Sequence, residues 1–239
     1  MTDLGVHGGK GNARGRPTHG PTPRKRAAYG WLMPEDRPAV TDPTGQIQQA
    51  KRALRGPLQA ARRARSQAER AAARGAIGIH LTAALQTSGC IAAYLPLPSE
   101  PLDRDLLNRL ADRSRVLVPL VTGAWPLDWC ALTDRTRAGR LGIEEPDGPP
   151  LGPEAIADAD AVLVPALAVG PHGHRLGRGG GHYDRTLALR SRLRDTTRDV
   201  LIALVYDDEF PVEVPHDDLD RPVTAVVTPS RGLVRLPWP

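Results

Sequence analysis

Short apolar runs alternate with longer amphipathic segments along most of this chain. The runs carry almost no charge and are rich in Val, Leu, Ile and Ala, which is typical of strands buried on both faces of a sheet. The segments between them place apolar residues at helical spacing. This alternation predicts an α/β domain with a largely parallel sheet and helices on both of its faces. The predicted strands are 90–95, 116–121, 127–132, 161–165, 201–206 and 223–228, and the run 127–132 is a candidate antiparallel strand.

Two helices are predicted before the first of these strands. The first covers 46–65, where Gly56 and Pro57 predict a kink or a division into two short helices, because proline lacks the N–H that a helix interior uses. The second opens at Ser66, since Ser66 and Glu69 have the spacing of a capping box. Its face towards the sheet is predicted to carry Ile77, Leu81 and Leu85. Further helices are predicted at 103–113, 154–157 and 183–193.

The first 44 residues differ in composition from the rest of the chain. They are rich in Gly, Pro, Thr and Arg without any sustained period, so we predict a disordered extension over residues 1–44. Residues 45–239 are then predicted to form a single α/β domain.

Cys90 and Cys130 lie in separate apolar segments without metal-ligand spacing, which predicts buried free thiols in a reducing compartment. With no apolar run near the roughly 18 residues of a membrane span and no secretory h-region, we expect no membrane contact and a cytoplasmic protein.

The formal net charge of +5 allows either a nucleic acid or a small polyanion as partner. Aromatic residues make up only 4% of the chain, which argues against base stacking as a main mode of action, and many arginines are scattered through Ala-rich helical segments. We therefore expect a small-molecule ligand and no nucleic acid. We also expect a monomer.

The segment 175–185 carries the most chemical information. Three consecutive glycines and the arginines Arg175, Arg178 and Arg185 follow the apolar run 161–169 and lead into a predicted helix. Glycines let backbone N–H groups approach a ligand, a helix start adds partial positive charge, and guanidinium groups suit phosphate. Asp184 adds a carboxylate of the kind that Mg²⁺ on a nucleotide uses. An ordinary turn is the alternative interpretation, but the segment predicts an anion site that is neither a Walker loop nor a dinucleotide fingerprint.

Together with the preceding Val164-Pro165-Ala166-Leu167-Ala168, the stretch from Gly173 to Arg185 resembles the 5-formyltetrahydrofolate cyclo-ligase family, also called 5,10-methenyltetrahydrofolate synthetases. Weaker matches occur in the same order over about 46–228: Lys51-x-x-Leu54-Arg55, the stretch from Tyr94 to Glu100, Glu145-Pro146, and the stretch from Val214 to Asp220. This chain departs from the family pattern at Ala166, where a glycine is usual, at His182, where the first of two tyrosines is usual, and at Leu219, where a histidine is usual.

The resemblance implies a three-layer, Rossmann-like sheet of the NagB/RpiA/CoA-transferase-like type. It also implies conversion of 5-formyltetrahydrofolate to 5,10-methenyltetrahydrofolate with ATP and Mg²⁺, giving ADP and phosphate, with Arg178 as the catalytic residue. The implied ATP-binding residues are Lys51, Arg55, Arg175, Leu176, Gly177, Arg178, Gly179, Gly180, Gly181, His182 and Tyr183. The implied folate-binding residues are Leu95, Glu100, Arg178 and His182, and the implied Mg²⁺ ligands are Asp184 and Asp220.

The residues alone leave simpler interpretations open for several of these positions. Lys51 and Arg55 share one helix face, which is equally typical of a solvated surface. Asp184 also suits a helix start, Asp220 suits a turn, and Glu100 suits an exposed loop. Three histidines, His172, His174 and His182, lie near the glycines, but without carboxylates or cysteines at ligand spacing they do not indicate a transition-metal site.

Three other functions remain open from the sequence. A sugar-phosphate enzyme of similar fold would use the same anion loop without ATP, and a family member with altered residues would bind folate without turnover. A nucleic-acid-binding protein is a third, and its affinity would fall steeply with salt.

Overall fold

The computed structural model describes residues 43–120, 126–138 and 144–237, and these ranges include a seven-stranded sheet. The strands of this sheet, in chain order, are β1 (Cys90–Ala92), β2 (Arg115–Leu120), β3 (Asp128–Ala131), β6 (Ala161–Pro165), β9 (Val200–Leu204), β10 (Ala225–Thr228) and β11 (Gly232–Arg235). Two small hairpins accompany it. Their strands are β4 (Thr136–Ala138) with β5 (Glu144–Pro146), and β7 (Ala168–Val169) with β8 (Arg175–Leu176).

The sheet has the order β11-β10-β9-β6-β1-β2-β3. Its five inner strands are parallel, while β3 and β11 are antiparallel to their neighbours at the two edges. The prediction of a largely parallel sheet is therefore confirmed, and the antiparallel assignment of 127–132 is confirmed by the pairing of β3 with β2. After β2 the chain returns to the other side of β1, so the strand order reverses between β1 and β6. The crevice beyond the carboxyl ends at such a reversal is where ligands of open α/β sheets bind.

Helices cover both faces of the sheet, as predicted. They are α1 (Pro43–Ala64), α2 (Gln67–Ala84), α3 (Arg104–Ala111) and α4 (His182–Leu193), with 3₁₀ helices at Pro153–Asp158 and Asp207–Glu209. One face of the sheet packs against α2 and α3 through buried residues such as Ile77, Leu81 and Leu106. The other face packs against α4 and the 3₁₀ helix Pro153–Asp158 through Leu187 and Ile156.

The start of α2 follows the sequence prediction closely. Ser66 has extended backbone angles, its hydroxyl accepts a hydrogen bond from the Glu69 N–H at 3.2 Å, and the Glu69 carboxylate accepts from the Ser66 N–H at 2.7 Å. The capping box is therefore confirmed, and it satisfies two backbone donors that a helix start leaves unpaired.

Gly56 and Pro57 do not divide the first helix in two, so that alternative of the prediction is wrong. The helix α1 runs from Pro43 to Ala64 with Pro57 inside it. Leu54 and Leu58 lie on either side of Pro57 in the sequence. Both are partly buried and pack against the cluster that contains Leu167 and Val214. Packing of this apolar face offsets the hydrogen bond that proline cannot make, because tertiary contacts contribute more to helix stability than local propensity does.

Several short elements were not predicted from the sequence. The apolar run 161–169, expected to be one strand before the glycines, is divided into β6 and β7, and β7 folds back on β8 as a hairpin. The glycines therefore follow β8 and not the central strand directly. The strand β11 and the small hairpin of β4 and β5 were likewise not predicted, since strands of two to four residues give too little periodicity.

A buried ion pair fastens α1 to the rest of the domain. Arg62 donates from Nε and Nη2 to the two carboxylate oxygens of Glu209, both at 2.7 Å, and from Nη2 to the carbonyl of Ala166 at 2.7 Å. Both side chains are only 1% exposed. Burial alone would lower the pKa of Arg62, but the hydrogen bonds and charge of Glu209 raise it, so the guanidinium stays charged.

Replacing Arg62 by methionine is expected to lower the free energy of unfolding by about 3–5 kcal/mol, because the substitution leaves the Glu209 carboxylate buried without its partner. Urea denaturation of purified protein measures this change. The control is Arg63→Met, which removes the same charge from the neighbouring exposed position. Equal stability of the two variants would show that the pair contributes no more than a surface charge.

Cys90 and Cys130 are both buried, as predicted, and no disulfide joins them. Among the described residues, no helix has the length and apolar character needed to cross a membrane.

Candidate functional site

A cavity of about 320 Å³ lies beyond the carboxyl ends of β1 and β6, at the reversal of strand order. Its volume is at the lower end of the range for small-molecule sites. Residues that directly follow β1 and β6 line it, including Tyr94 and Ala166. All fifteen residues that sequence analysis assigned to the site line this one cavity: Lys51, Arg55, Leu95, Glu100, Arg175, Leu176, Gly177, Arg178, Gly179, Gly180, Gly181, His182, Tyr183, Asp184 and Asp220.

The backbone from Gly177 to Gly181 forms one wall of the cavity. No described residue accepts a hydrogen bond from any of these five N–H groups. Gly179 and Gly181 have φ values of 100° and 66°, which favour glycine, and Gly181 is the N-cap of α4. The segment therefore offers consecutive backbone donors and a helix start to the same space, which is an arrangement suited to an anion.

The helix α1 contributes two cations to the opposite side of the loop. Lys51 is only 5% exposed, so the solvated interpretation of this helix face is wrong for Lys51. Arg55 donates from Nε to the carbonyl of Gly177 at 2.8 Å, and its guanidinium lies against Gly179. Arg55 therefore braces the glycine loop.

Each carboxylate that lines the cavity has a cationic partner. Lys51 Nζ lies 2.5 Å from an oxygen of Asp220. Arg175 Nη2 donates to Asp184 Oδ1 at 2.7 Å, and the Arg221 N–H donates to the same oxygen at 3.1 Å. The third carboxylate, Glu100, pairs with Arg178. Arg55 is the remaining cation of the lining and contacts a carbonyl instead, so the walls carry an excess of positive charge that favours an anionic ligand.

Glu100 and Arg178 join two different parts of the cavity. Glu100 is 4% exposed, so its interpretation as an exposed loop acid is wrong. One of its carboxylate oxygens accepts from the Leu97 N–H at 2.9 Å, and the other lies 3.3 Å from Arg178 Nη2. The Arg178 side chain is 42% exposed. This guanidinium therefore lies between the glycine loop and the Glu100 loop, with open faces towards a ligand.

Two aromatic rings at the start of α4 complete the wall. The hydroxyl of Tyr183 is buried and has no hydrogen-bond partner among the described residues, and burial followed by the charge of Glu100 raises its pKa. A buried hydroxyl without a partner is costly, so Tyr183 is ready to donate to a bound ligand. Burial and the charge of Arg185 lower the pKa of His182, so this imidazole is neutral at pH 7.

Asp184 and Asp220 line the same cavity, but the described residues contain no group of three or more His, Cys, Asp or Glu side chains that could hold a metal ion. Of the two carboxylate oxygens of Asp184, Oδ1 accepts hydrogen bonds from described residues and Oδ2 does not. Mg²⁺ is usually bound by one or two carboxylates together with waters and substrate phosphates. The two aspartates fit such a shared site, in which a phosphate supplies part of the coordination.

Some residues that line the cavity were not predicted from the sequence. Gln48 lies three residues before Lys51 on α1, and this helical spacing was the signal that could have found it. The apolar lining residues Leu97, Pro119, Leu127, Pro165 and Leu167 gave no such signal. Trp129 is fully buried in the core and does not line the cavity. Of the three histidines near the glycines, only His182 lines the cavity.

The sequence of this chain is similar to those of 5-formyltetrahydrofolate cyclo-ligases. The model of the 5-formyltetrahydrofolate cyclo-ligase family matches residues 47–229. A 5-formyltetrahydrofolate cyclo-ligase of Mycolicibacterium smegmatis is 41% identical over 160 residues, which cover 64% of this chain and 80% of that protein.

Solved structures agree with this similarity. The 5,10-methenyltetrahydrofolate synthetase of Aquifex aeolicus superposes with a TM-score of 0.65 at 26% identity, covering 78% of this chain and 92% of the other. The synthetase of Mycoplasma pneumoniae superposes with a TM-score of 0.58, covering 74% and 96%, and at 22% identity it supports the fold alone.

Proposed function

Because this chain belongs to the 5-formyltetrahydrofolate cyclo-ligase family, whose members are ATP-dependent ligases, we propose that it converts 5-formyltetrahydrofolate to 5,10-methenyltetrahydrofolate. ATP is consumed and ADP and phosphate are released. The observation that carries this proposal is the position of Arg178, on the glycine loop and 3.3 Å from Glu100 on the facing loop. One guanidinium thereby reaches both the predicted phosphate site and the predicted folate site.

The reaction explains why two ligands must meet at one point. Ring closure has to expel the oxygen of the N5 formyl group, and oxide or hydroxide is a poor leaving group. In the proposed route the formyl oxygen attacks the γ-phosphorus of ATP, and the bond to the ADP oxygen breaks. The N10 nitrogen then attacks the activated carbon and loses its proton, and the carbon–oxygen bond breaks to release phosphate. This route needs positioning and charge stabilisation but no protein nucleophile.

The chain's own residues divide this work according to their position. The N–H groups of Gly177 to Gly181 and the start of α4 bind the phosphates, supported by Arg175 and Leu176 beside them. Lys51 and Arg55 approach the nucleotide from α1. Arg178 stabilises negative charge on the transferring phosphoryl group and the formyl oxygen.

The folate binds on the side of β1 in this proposal. Glu100 accepts hydrogen bonds from donors of the pterin, because its buried carboxylate already lies at the cavity wall. Leu95 packs against the ring, and His182, neutral at pH 7, contributes an aromatic wall in place of the tyrosine usual in the family.

Asp184 and Asp220 are the residues that would hold Mg²⁺ together with phosphate oxygens. When bound, the ion neutralises part of the phosphate charge and orients the γ-phosphoryl group. In the protein without nucleotide, Arg175 and Lys51 balance the two carboxylates.

The decisive experiment follows the absorbance of methenyl folate when the purified protein is given 5-formyltetrahydrofolate. Product should form only when ATP and Mg²⁺ are both present, with one ADP released for each methenyl folate. Binding of folate without product would identify a family member that has lost turnover. Absence of both folate binding and ATP–Mg²⁺ binding would contradict the proposal and favour a sugar-phosphate ligand for the anion loop.

Replacing Asp184 by asparagine is expected to raise the Mg²⁺ concentration needed for half-maximal rate by roughly a hundredfold, since groups that only orient metal ligands already contribute 10- to 100-fold. The rate is measured across a magnesium titration at saturating ATP. The control is Asp105→Asn, because Asp105 occupies the first turn of α3 just as Asp184 occupies the first turn of α4. Indistinguishable magnesium curves for the two variants would leave Asp184 as a helix-start carboxylate only.

A further inference from the structure

The turn that carries Glu100 is held by side chains that lie outside the cavity. The chain from Leu97 to Glu100 forms a tight turn, in which the Glu100 N–H donates to the Leu97 carbonyl at 2.9 Å. No helix or strand includes these residues, so the position of the Glu100 carboxylate depends on what fixes the turn from outside.

Three successive carbonyls of this turn accept hydrogen bonds from two side chains. Arg74 on α2 donates from Nη2 to Pro98 O at 2.5 Å and from Nε to Glu100 O at 3.1 Å. The hydroxyl of Tyr206 donates to the carbonyl between them, that of Ser99, at 3.2 Å. The forked guanidinium therefore spans the turn, and the phenol fixes its middle.

Both donors are themselves anchored. Arg74 projects from the second turn of α2, whose start is fixed by its capping box and whose buried face packs on the sheet. Tyr206 is 3% exposed, its N–H donates to Glu209 at 2.8 Å, and the guanidinium of Arg65 lies 4.0 Å from the centre of its ring. Neither Arg74 nor Tyr206 lines the cavity. The hydrogen bonds of the Arg74 side chain and of the Tyr206 hydroxyl go only to the turn, so the effect of these two groups on a ligand passes through it.

We propose that Arg74 and Tyr206 are positioning residues for folate binding, because they hold the Glu100 turn so that its carboxylate meets the substrate. This inference rests on the proposed function, in which Glu100 binds the folate. Sites that bind through few polar groups need them placed within about 0.5 Å, and a turn without these donors has no comparable support. The nucleotide side of the cavity is built on α1 and α4, and among the described residues it receives no hydrogen bond from Arg74 or from the Tyr206 hydroxyl.

The test compares Arg74→Met with Arg70→Met. Arg70 lies one helical turn earlier on α2 and contacts only the Arg65 carbonyl among the hydrogen bonds described, so both variants lose one positive charge from the same helix. Arg74→Met should raise the KM for 5-formyltetrahydrofolate roughly tenfold while changing the KM for ATP less than about twofold, since hydrogen bonds from a charged donor are the stronger kind. Arg70→Met should change neither KM.

A second variant guards against loss of folding. Tyr206→Phe removes only the hydroxyl and keeps the ring beside Arg65, and it should raise the folate KM by about threefold, as expected for one neutral hydrogen bond. If Arg74→Met does not yield folded protein, Tyr206→Phe is used instead, and its KM for 5-formyltetrahydrofolate is compared with its KM for ATP.

A double-substitution cycle separates positioning from a general structural effect. In a Glu100→Gln background, adding Arg74→Met should change folate affinity by less than about threefold, because the group that Arg74 positions has already lost its charge. An effect of undiminished size in that background overturns the proposal, as does equal behaviour of Arg74→Met and Arg70→Met. If the unmodified protein forms no methenyl folate, the proposed function fails first, so the two failures are distinguishable.

Discussion

Arg178→Met is expected to lower kcat for methenyl folate formation by about 100- to 1,000-fold, the usual cost of removing one electrostatic contact to a transition state. Negative charge develops between the formyl oxygen and the transferring phosphoryl group, and Arg178 is the cation that lies between the glycine loop and Glu100. Methionine keeps the length of the aliphatic part and removes the charge and the donors. The measurement is kcat with both substrates saturating.

The matched control is Arg192→Met, which removes one exposed positive charge from α4 at a distance from the cavity lining. Arg178→Lys adds information, because lysine keeps the charge without the fork and should recover only part of the rate. A higher KM with unchanged kcat in Arg178→Met would contradict the assignment, since it would show that Arg178 binds the ground state and the transition state equally.

Gly177→Val is expected to abolish measurable ATP–Mg²⁺ binding, which corresponds to a loss of affinity of at least about a hundredfold, while leaving the fold intact. Gly177 lines the cavity, and a Cβ built on it meets no atom within 4 Å. Its φ lies outside the left-handed region, so a side chain there does not meet the strain of that region. The added methyl groups would then occupy the space in front of the backbone donors. Titration calorimetry with ATP and Mg²⁺ measures the affinity, and thermal unfolding measures the stability.

Gly180 is a less informative position for the same substitution. A Cβ there lies 2.7 Å from the His182 ring, so valine would displace a lining side chain before it reached a phosphate. Gly75→Ala, in an open position of α2, serves as the control for adding a side chain to glycine. Normal ATP affinity in folded Gly177→Val protein would show that the phosphates bind elsewhere.

The strengths and failures of the sequence predictions have local physical causes. The parallel strands, the capping box at Ser66 and the antiparallel β3 were predicted because their signals lie within a few consecutive residues. The continuous α1 was not predicted, because packing against distant residues outweighs the local effect of Pro57. The hairpin of β7 and β8 was not predicted, because strands of two residues are too short to show a periodic pattern.

The burial of charged residues on α1 was also not predictable from local sequence. Lys51 and Arg62 are eleven residues apart and so share a helix face, yet on an Ala- and Arg-rich helix a solvated position is the ordinary expectation. Both side chains are buried in the structure. The helix α1 packs where Lys51 pairs with Asp220 and Arg62 pairs with Glu209. Arg74 was not predicted at all, since its two acceptors are backbone carbonyls that carry no sequence signal.

The sequence alone was enough to predict an anion site, because glycine's freedom of φ, a helix start and the arginines beside it act within one short segment, 175–185. Only the tertiary structure decided which charges meet. Lys51 and Asp220 are 169 residues apart, and Glu100 and Arg178 are 78 apart. Such pairs form because the reversal of strand order between β1 and β6 brings the ends of distant strands to one crevice, and no local pattern in the chain encodes that distance.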